Sequence, residues 1–126
     1  MKEILFRGKT KHGEWVYGSL VIAKDYGDTT AIFPVDVHLY SHGETDGWEE
    51  VIQETVGQYV GLLDRNGRKI FEGDVVESVI RRVGKGPVHR ILIDDIRNCL
   101  QLALYGPQYE IAGNIHDNPE LWEVKE

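Results

Sequence analysis

The stretch GLLDRNGRKIFEGDVV, residues 61–76, decides the fold that the sequence predicts. Its central pair, Asn66-Gly67, tolerates positive φ, which is the backbone conformation that a two-residue type I′ hairpin turn requires. The apolar pairs on either side, Leu62–Leu63 and Ile70–Phe71, are therefore predicted to be antiparallel partners. Gly73 then stands between two acidic residues and can adopt a conformation that is costly for other residues. The stretch thus predicts a β-hairpin followed by a sharp change of direction into another strand.

The same two-residue period runs through most of the chain. Apolar and β-branched residues alternate with polar ones, which is the pattern of half-buried strands. The predicted strands are Trp15–Ile22, Thr29–Val35, Val51–Val60, Asp74–Val83, Val88–Asp94, Cys99–Leu104 and Tyr109–Ile115. Glycine-rich turns separate them, and short strands with such turns are typical of a barrel or a sandwich.

Only the C-terminal tail has a helical pattern. Asn118 is a residue type that caps helix N-termini, and Pro119 suits the first helical position. Glu120 places a carboxylate at the positive end of the helix dipole. The sequence therefore predicts one short helical turn, with Leu121 and Trp122 folding it back against the sheet.

The composition indicates a folded protein with a small core. The chain has 126 residues, of which 41% are hydrophobic, and this length fits one domain or two small ones. No apolar stretch approaches the roughly 18 residues of a membrane span, and the charged N-terminus lacks the apolar region of a signal peptide. The single cysteine, Cys99, cannot form an intrachain disulfide, which fits a reducing cytoplasm. Its alternating run predicts a strand residue and not a nucleophile.

Charge is unevenly distributed along the sequence. The net formal charge is −7, which argues against a nonspecific duplex-DNA binder, because such proteins displace phosphate counterions with Lys and Arg. Residues 25–64 contain nine acidic residues and no Lys or Arg, whereas residues 65–97 contain eight basic and five acidic residues. Residues 25–64 of one copy would therefore attract residues 65–97 of another. The leading hypothesis is a non-enzymatic binding or assembly module that forms a symmetric homo-oligomer. Docking of the acidic face onto a host protein is a second form of this hypothesis.

A nucleic-acid-binding accessory protein is the alternative hypothesis, and it depends on the basic hairpin Arg81–Arg90. Four basic residues bracket its predicted loop: Arg81, Arg82, Lys85 and Arg90. Small barrels bind single strands through basic grooves with stacking aromatics. No aromatic residue lies between Phe71 and Tyr105, so stacking partners are missing locally. The same four residues are candidates for subunit contacts, or they form a solvated hairpin whose charges prevent edge strands from pairing.

The sequence predicts no catalytic residue, no metal site and no cofactor, and hence no enzyme. Carboxylate and imidazole groups occur close together at four positions: Asp36, His38, His42 and Glu44. Their spacing matches no established zinc pattern. The adjacent carboxylates of Asp94–Asp95 point to opposite faces of a strand and cannot act together. The glycines of Val83–Pro87 lack the spacing of a phosphate-binding loop.

Three stretches resemble the YopX family of phage and prophage proteins. They are VGQYVGLLDRNGRKIFEGDVV (Val56–Val76), YEIAGNIHDNPELW (Tyr109–Trp122) and ILFRGKTKHGEWVYGSLV (Ile4–Val21), and the resemblance extends over most of the chain. It implies a phage origin, a bacterial cytoplasm and a mainly β fold. A small antiparallel region is expected over residues 1–55 and an SH3-like barrel over residues 56–126, as separate domains or around one shared core. The resemblance implies no specific function and transfers no catalytic residue.

Overall fold

The computed structural model describes residues 3–24, 29–34, 47–78, 90–94 and 108–121. Within these ranges the chain is mainly β, as the sequence predicts, with antiparallel sheets and very little helix. No helix there has the length and apolarity that crossing a membrane requires. The chain divides into two compact units, Met1–Gln58 and Tyr59–Glu126. From the sequence we expect a domain boundary between residues 55 and 56, and this boundary stays a prediction.

The first unit is an antiparallel sheet built from the alternating, β-branched segments. Its strands are β1 (Phe6–Lys9), β2 (Trp15–Ala23), β3 (Thr29–Pro34), β4 (Glu49–Glu50) and the first part of β5 (Ile52–Leu63). They are hydrogen-bonded in the order β4-β3-β2-β1-β5. The strands predicted over residues 15–22, 29–35 and 51–60 are therefore confirmed where the structure describes them.

Thr10 holds the tight turn between β1 and β2. Its hydroxyl oxygen accepts hydrogen bonds from the N–H groups of His12 and Glu14, each at 3.3 Å. Its own N–H donates to the Glu14 carbonyl at 2.9 Å. Gly13 completes the turn with a φ of 87°, which a glycine adopts without steric cost. These bonds fix the register of the β1–β2 hairpin.

Val51 is the point at which this sheet curls. It is the one residue between β4, at one end of the strand order, and β5, at the other end. Its N–H donates to the Thr30 carbonyl at 2.9 Å. Its side chain packs on Gly8, where an added Cβ would lie 2.8 Å from Val51 Cγ2. The two ends of the strand order therefore approach each other at this buried valine, without closing the sheet into a barrel.

The second unit contains a hairpin and a three-stranded antiparallel sheet. The hairpin joins the second part of β5 to β6 (Lys69–Phe71), and the sheet consists of β7 (Asp74–Ser78), β8 (Arg90–Leu92) and β9 (Tyr109–Asn114) in the order β8-β7-β9. Its buried core comprises Ile70, Val76, Ile91, Ile93 and Tyr109, with the half-buried Val60, Leu62 and Ile111 packed against it. The core of the second unit thus combines apolar residues from the stretch 61–76 with residues from the distant strand β9.

The hairpin turn is one residue longer than the sequence predicts. The Gly67 N–H donates to the Asp64 carbonyl at 3.0 Å, and the Asp64 N–H donates to the Arg68 carbonyl at 2.8 Å. Arg65 and Asn66 are therefore the central residues of the turn, and Gly67 follows them with a φ of 81°. This pattern is typical of the three-residue loop in which a turn is followed by a glycine bulge. The antiparallel pairing is confirmed, whereas the two-residue type I′ turn is wrong.

Gly73 redirects the chain between β6 and β7, as the sequence predicts. Its φ is 93°, a conformation that is costly for a residue with a Cβ. Its N–H donates to the Ile93 carbonyl at 2.7 Å, and its carbonyl accepts from the Ile115 N–H at 2.8 Å. The Asp74 carboxylate accepts from the Phe71 N–H at 2.8 Å across the corner. Hydrogen bonds therefore hold the corner internally and also join it to the segments that contain Ile93 and Ile115.

The predicted C-terminal helical turn is confirmed as a 3₁₀ turn over Pro119–Leu121. The Leu121 N–H donates to the Asn118 carbonyl at 3.0 Å. The Leu121 side chain lies against Gly113 of β9, where an added Cβ would be 2.9 Å from Leu121 Cδ1. The turn therefore folds back onto the sheet through Leu121, whereas Trp122 lies outside the described residues.

The mainly β fold class is confirmed, but the SH3-like barrel expected over residues 56–126 is not. Within the ranges that the structure describes, neither sheet closes into a barrel. The predicted strands over residues 74–83 and 88–94 are described only in part, as β7 and β8. The strand predicted over residues 99–104 lies outside the described residues.

Candidate functional site

Residues 48–54 present apolar and acidic side chains together on the surface of the first unit, and we call them the acidic segment. Trp48 and Ile52 expose 44% and 43% of their surface. Its other exposed members are Glu49, Glu50, Gln53 and Glu54. An exposed tryptophan offers a large, rigid apolar contact area, and tryptophan is enriched among residues that dominate the energy of protein interfaces.

Backbone and side-chain hydrogen bonds hold this segment in place. Val51 is its single buried residue, bonded to Thr30 and packed on Gly8. At its C-terminal end, the Thr55 hydroxyl donates to the Ile52 carbonyl at 2.6 Å and accepts from the Lys9 N–H at 2.8 Å. Because both sides of Ile52 are anchored, the exposed side chains project from a fixed backbone. Pre-organisation of this kind lowers the entropic cost of binding a partner.

The neighbouring carboxylates of Glu49 and Glu50 do not form a paired site. Glu49 and Glu50 are neighbours on a strand, so their carboxylates point to opposite faces and do not converge. In the part of the chain that the structure describes, no group of three or more metal-ligating side chains converges. Charged residues on a short edge strand such as β4 also prevent unwanted strand pairing. That protective role accounts for the two glutamates but not for the exposure of Trp48 and Ile52, which enlarges the surface available for aggregation.

The best-formed polar network lies in the second unit around Asp64. Asp64 Oδ1 accepts hydrogen bonds from the N–H groups of Asn66 and Arg68, each at 2.9 Å. Asp64 Oδ2 accepts from Arg68 Nε at 3.2 Å and from the Ile111 N–H at 3.0 Å. The Arg68 guanidinium also donates to the Ile111 carbonyl at 2.9 Å. The network therefore ties the hairpin turn to the distant strand β9.

Opposing influences set the pKa of the Asp64 carboxyl. Burial raises it, because a charged group loses its hydration. Hydrogen bonds from the N–H groups of Ile111, Arg68 and Asn66, together with the Arg68 guanidinium, lower it by more, so the pKa lies below its ordinary value. The Asp64 side chain is fully buried. A buried carboxylate that accepts this many hydrogen bonds stabilises the fold.

The same hairpin presents a basic surface, which we call the basic turn, residues 65–69. Arg65, Arg68 and Lys69 are exposed on it. Arg68 is partly neutralised by Asp64, at an Nη2–Oδ2 distance of 3.2 Å. The Lys69 ammonium lies 5.6 Å from the centre of the Tyr59 ring, within the range of a cation–π contact. The basic turn of one copy therefore carries positive charge that the acidic segment of another copy would attract.

Of the four basic residues predicted as a site, the structure describes Arg90 alone. Arg90 Nε donates to the Glu77 carboxylate at 2.6 Å, and its guanidinium lies 3.5 Å from the Leu121 carbonyl. This ion pair offsets the charge that would bind a phosphate. Arg81, Arg82 and Lys85 lie outside the described residues, and the role of the basic hairpin stays a prediction. The predictions for six further residues also stay predictions, because these residues lie outside the described ranges: Asp36, His38, His42, Glu44, Asp95 and Cys99.

Sequence reasoning missed both Asp64 and the exposure of Trp48. A signal for Asp64 was present, because an aspartate before a turn commonly accepts a hydrogen bond from the N–H two residues on. No comparable signal marked Trp48, which exposes 44% of its surface. The predicted acidic face is thus represented in the structure by three exposed glutamates, while Asp64, the last acidic residue of that stretch, is buried.

Comparisons with known proteins give a family and a related fold. A family model described as YopX protein matches residues 5–123. A solved structure, the crystal structure of protein EF1440 from Enterococcus faecalis, is similar with a TM-score of 0.58 and 25% sequence identity. The similarity covers 98% of this chain and 100% of that one. No curated protein matches the chain.

Proposed function

The chain belongs to the YopX family, and from that premise we propose that it is a non-enzymatic binding and assembly module. The observation that carries the proposal is the exposure of Trp48 and Ile52 among three carboxylates on a fixed backbone. The most concrete form is self-association, in which the acidic segment of one copy binds the basic turn of another. The other form is docking of the acidic segment onto a basic surface of a host protein.

Charge and apolar area have different roles in this association. Opposite charges steer two copies together and select their orientation, and they contribute more to rate and specificity than to affinity. Trp48 and Ile52 supply the apolar area whose burial stabilises the complex. A contact between two different surfaces of the same chain is either repeated reciprocally, which gives a symmetric dimer, or continued head to tail, which gives a ring if the rotation closes and a filament if it does not. The proposal is the closed forms, a symmetric dimer or a ring.

The proposal also takes up what the family resemblance implies. It places the protein in a bacterial cytoplasm as a phage or prophage product, with an SH3-like barrel over residues 56–126. The antiparallel order β8-β7-β9 and the sharp corner at Gly73 support such a barrel. The proposed module uses no catalytic residue, metal or cofactor.

Light scattering coupled to size-exclusion chromatography tests the self-association. We expect a mass above that of the monomer at low salt, and a falling mass between about 0.05 and about 0.5 M NaCl, because salt screens exposed charges. Replacing the three glutamates of the acidic segment with glutamine should shift the protein toward the monomer. A matched control replaces three exposed carboxylates elsewhere, in Glu3→Gln, Glu14→Gln and Glu120→Gln. This control should retain the assembly, although both variants change the net charge equally.

A strict monomer at low salt and high protein concentration would contradict self-association. The host-protein form is then tested by affinity capture from a bacterial lysate, with the wild-type chain and the acidic-segment variant compared side by side. A basic protein that the wild type and the control capture, and the variant does not, would support docking. If capture is the same for all three chains, the acidic segment is not the binding surface.

A further inference from the structure

One face of the β1–β2 hairpin combines aromatic rings with cations. In the antiparallel register Arg7 lies opposite Tyr17 and Lys9 lies opposite Trp15. Directly opposed residues of an antiparallel pair project from the same face of the sheet. All four side chains therefore share one face, in which cations of β1 stand beside aromatic rings of β2. Ile52 of the acidic segment lies opposite Lys9 on β5 and therefore borders this face.

Trp15 organises the cations of this face. The Arg7 guanidinium carbon lies 4.7 Å from the centre of the Trp15 ring, and the Lys9 ammonium lies 5.9 Å from it. Both distances fall within the range of cation–π attraction. Arg7 is buried, while Lys9 and Trp15 are half-buried, so of the two cations beside the indole it is Lys9 that a ligand can reach. Tyr17, at 40% exposure, is the ring that this face presents to solvent.

The hairpin is basic although the chain as a whole is acidic. Residues 5–24 contain four cations and one carboxylate, a local balance of +3 against −7 for the chain. The cations are Arg7, Lys9, Lys11 and Lys24, and the carboxylate is Glu14 in the turn. Glu50 of the edge strand β4 lies on the same face, opposite Ala31 and two strands away from β2, so carboxylates of the acidic segment border the hairpin. The local charge therefore favours an anionic ligand on β1 and β2.

We propose that this face binds single-stranded nucleic acid, with a base stacked on Tyr17 and a backbone phosphate bound by Lys9. Aromatic side chains on a sheet surface stack with unpaired bases, and adjacent cations follow the phosphate backbone. Ser19, exposed two residues beyond Tyr17 on the same face, adds a hydroxyl that can bond a base edge or a phosphate. Arg7 and Trp15 are positioning residues in this arrangement. A nucleotide combines a planar base and a phosphate, which match an exposed aromatic ring with a cation beside it.

Fluorescence anisotropy with the full chain and a labelled oligothymidine tests the proposal at low salt. We expect the wild type to bind the single strand more tightly than a duplex of the same length. Tyr17→Ala should weaken binding by about tenfold or more, since stacking of one base carries that much affinity. Tyr17→Phe should restore it, because the ring is kept. Lys9→Gln should lower the slope of log affinity against log salt by about 0.7, the value for one phosphate contact on a single strand.

Lys24→Gln is the charge-matched control, because it removes one exposed cation that is not among the four side chains of the proposed face. Its effect should be clearly smaller than that of Lys9→Gln. Absence of wild-type binding at low salt overturns the proposal, as does binding that Tyr17→Ala leaves unchanged. An equal loss in Lys24→Gln and Lys9→Gln overturns it too, since nonspecific attraction would then explain the binding. If Tyr17→Ala instead abolishes self-association and spares oligonucleotide binding, the face contacts protein and the nucleic-acid site is rejected.

Discussion

The backbone N–H of Ile111 donates a hydrogen bond of 3.0 Å to the carboxylate of Asp64, which lies 47 positions earlier in the chain. The same carboxylate accepts from the turn that follows it, at the N–H groups of Asn66 and Arg68. One buried side chain therefore determines both the conformation of a local turn and the docking of β9 beside that turn. Loss of this carboxylate should affect both at once.

Asp64→Ala should destabilise the protein strongly. It leaves the N–H groups of Asn66, Arg68 and Ile111 without their acceptor, and a hydrogen bond to a charged group contributes about 1.5–3 kcal/mol. We expect a loss of at least about 3 kcal/mol in the free energy of unfolding, measured by urea denaturation. Asp64→Asn should cost less than alanine, because one acceptor oxygen remains. Glu120→Ala, at an exposed carboxylate, is the control, and equal losses for Asp64→Ala and Glu120→Ala would refute the role of the network.

The stability of the wild type should fall on acidification in a window set by Asp64. The pKa of this carboxyl is lowered in the folded state, so its stabilising effect is fully present above the unfolded value of about 3.9. The effect is lost as the pH falls through the lower folded value, because the proton then binds the unfolded state more tightly. Urea denaturation at a series of pH values should show a steeper fall for the wild type than for Asp64→Asn below about pH 4. If the stabilities of the wild type and Asp64→Asn fall in parallel with pH, Asp64 does not cause the loss of stability in acid.

Local elements of the fold were predictable from the sequence. The strands from Trp15 to Ala23 and from Tyr109 to Asn114 follow from residue alternation, and the corner at Gly73 follows from the conformational freedom of glycine. The 3₁₀ turn follows from Pro119. In each case the cause lies within a few residues of the effect.

The remaining features depend on contacts that a single sequence does not specify. The extra residue in the hairpin loop follows from Asp64, whose side chain satisfies the turn and also reaches Ile111. Val51 is buried and Ile52 exposed because successive residues of an extended chain point to opposite faces, and which face is covered depends on the pairing of β4 with β3 and of β5 with β1. The acidic composition of the candidate surface was therefore predictable, but its apolar centre was not.

Gly73→Ala should destabilise the corner between β6 and β7. Its φ of 93° is a conformation that costs an L-residue about 1–2 kcal/mol. The backbone cannot relax freely, because the Gly73 N–H and carbonyl are bonded to Ile93 and Ile115. Gly73→Asn should cost less than Gly73→Ala, because asparagine tolerates positive φ better than alanine does. Thermal denaturation of both variants checks the order, and the reverse order would show that backbone strain does not govern this site.

Gly8 and Val51 should show strong energetic coupling. Gly8→Ala inserts a methyl group 2.8 Å from Val51 Cγ2, and such overpacking costs about 1–3 kcal/mol. Val51→Ala removes two buried methyl groups and should cost about 2 kcal/mol. In the double variant the methyl group introduced by Gly8→Ala occupies the space that the valine vacates, so the combined loss should be smaller than the sum by at least about 0.5 kcal/mol. A double-mutant cycle in urea measures this difference, and simple additivity would mean that the two residues do not share one packing site.

Trp48 should matter for association and not for folding. It exposes 44% of its surface, so Trp48→Ala removes little buried area, and its effect on unfolding should stay within about 0.5 kcal/mol. Truncation of an aromatic residue at the centre of an interface costs about 2 kcal/mol or more of binding energy. We therefore expect the concentration at which the protein dissociates to rise by at least about 30-fold for a dimer, measured by sedimentation equilibrium. Ile22→Ala is the matched control, because Ile22 is even more exposed, at 58%, and lies outside the acidic segment. Equal dissociation in the two variants would mean that exposed apolar area anywhere drives the association, and would remove the acidic segment from the interface.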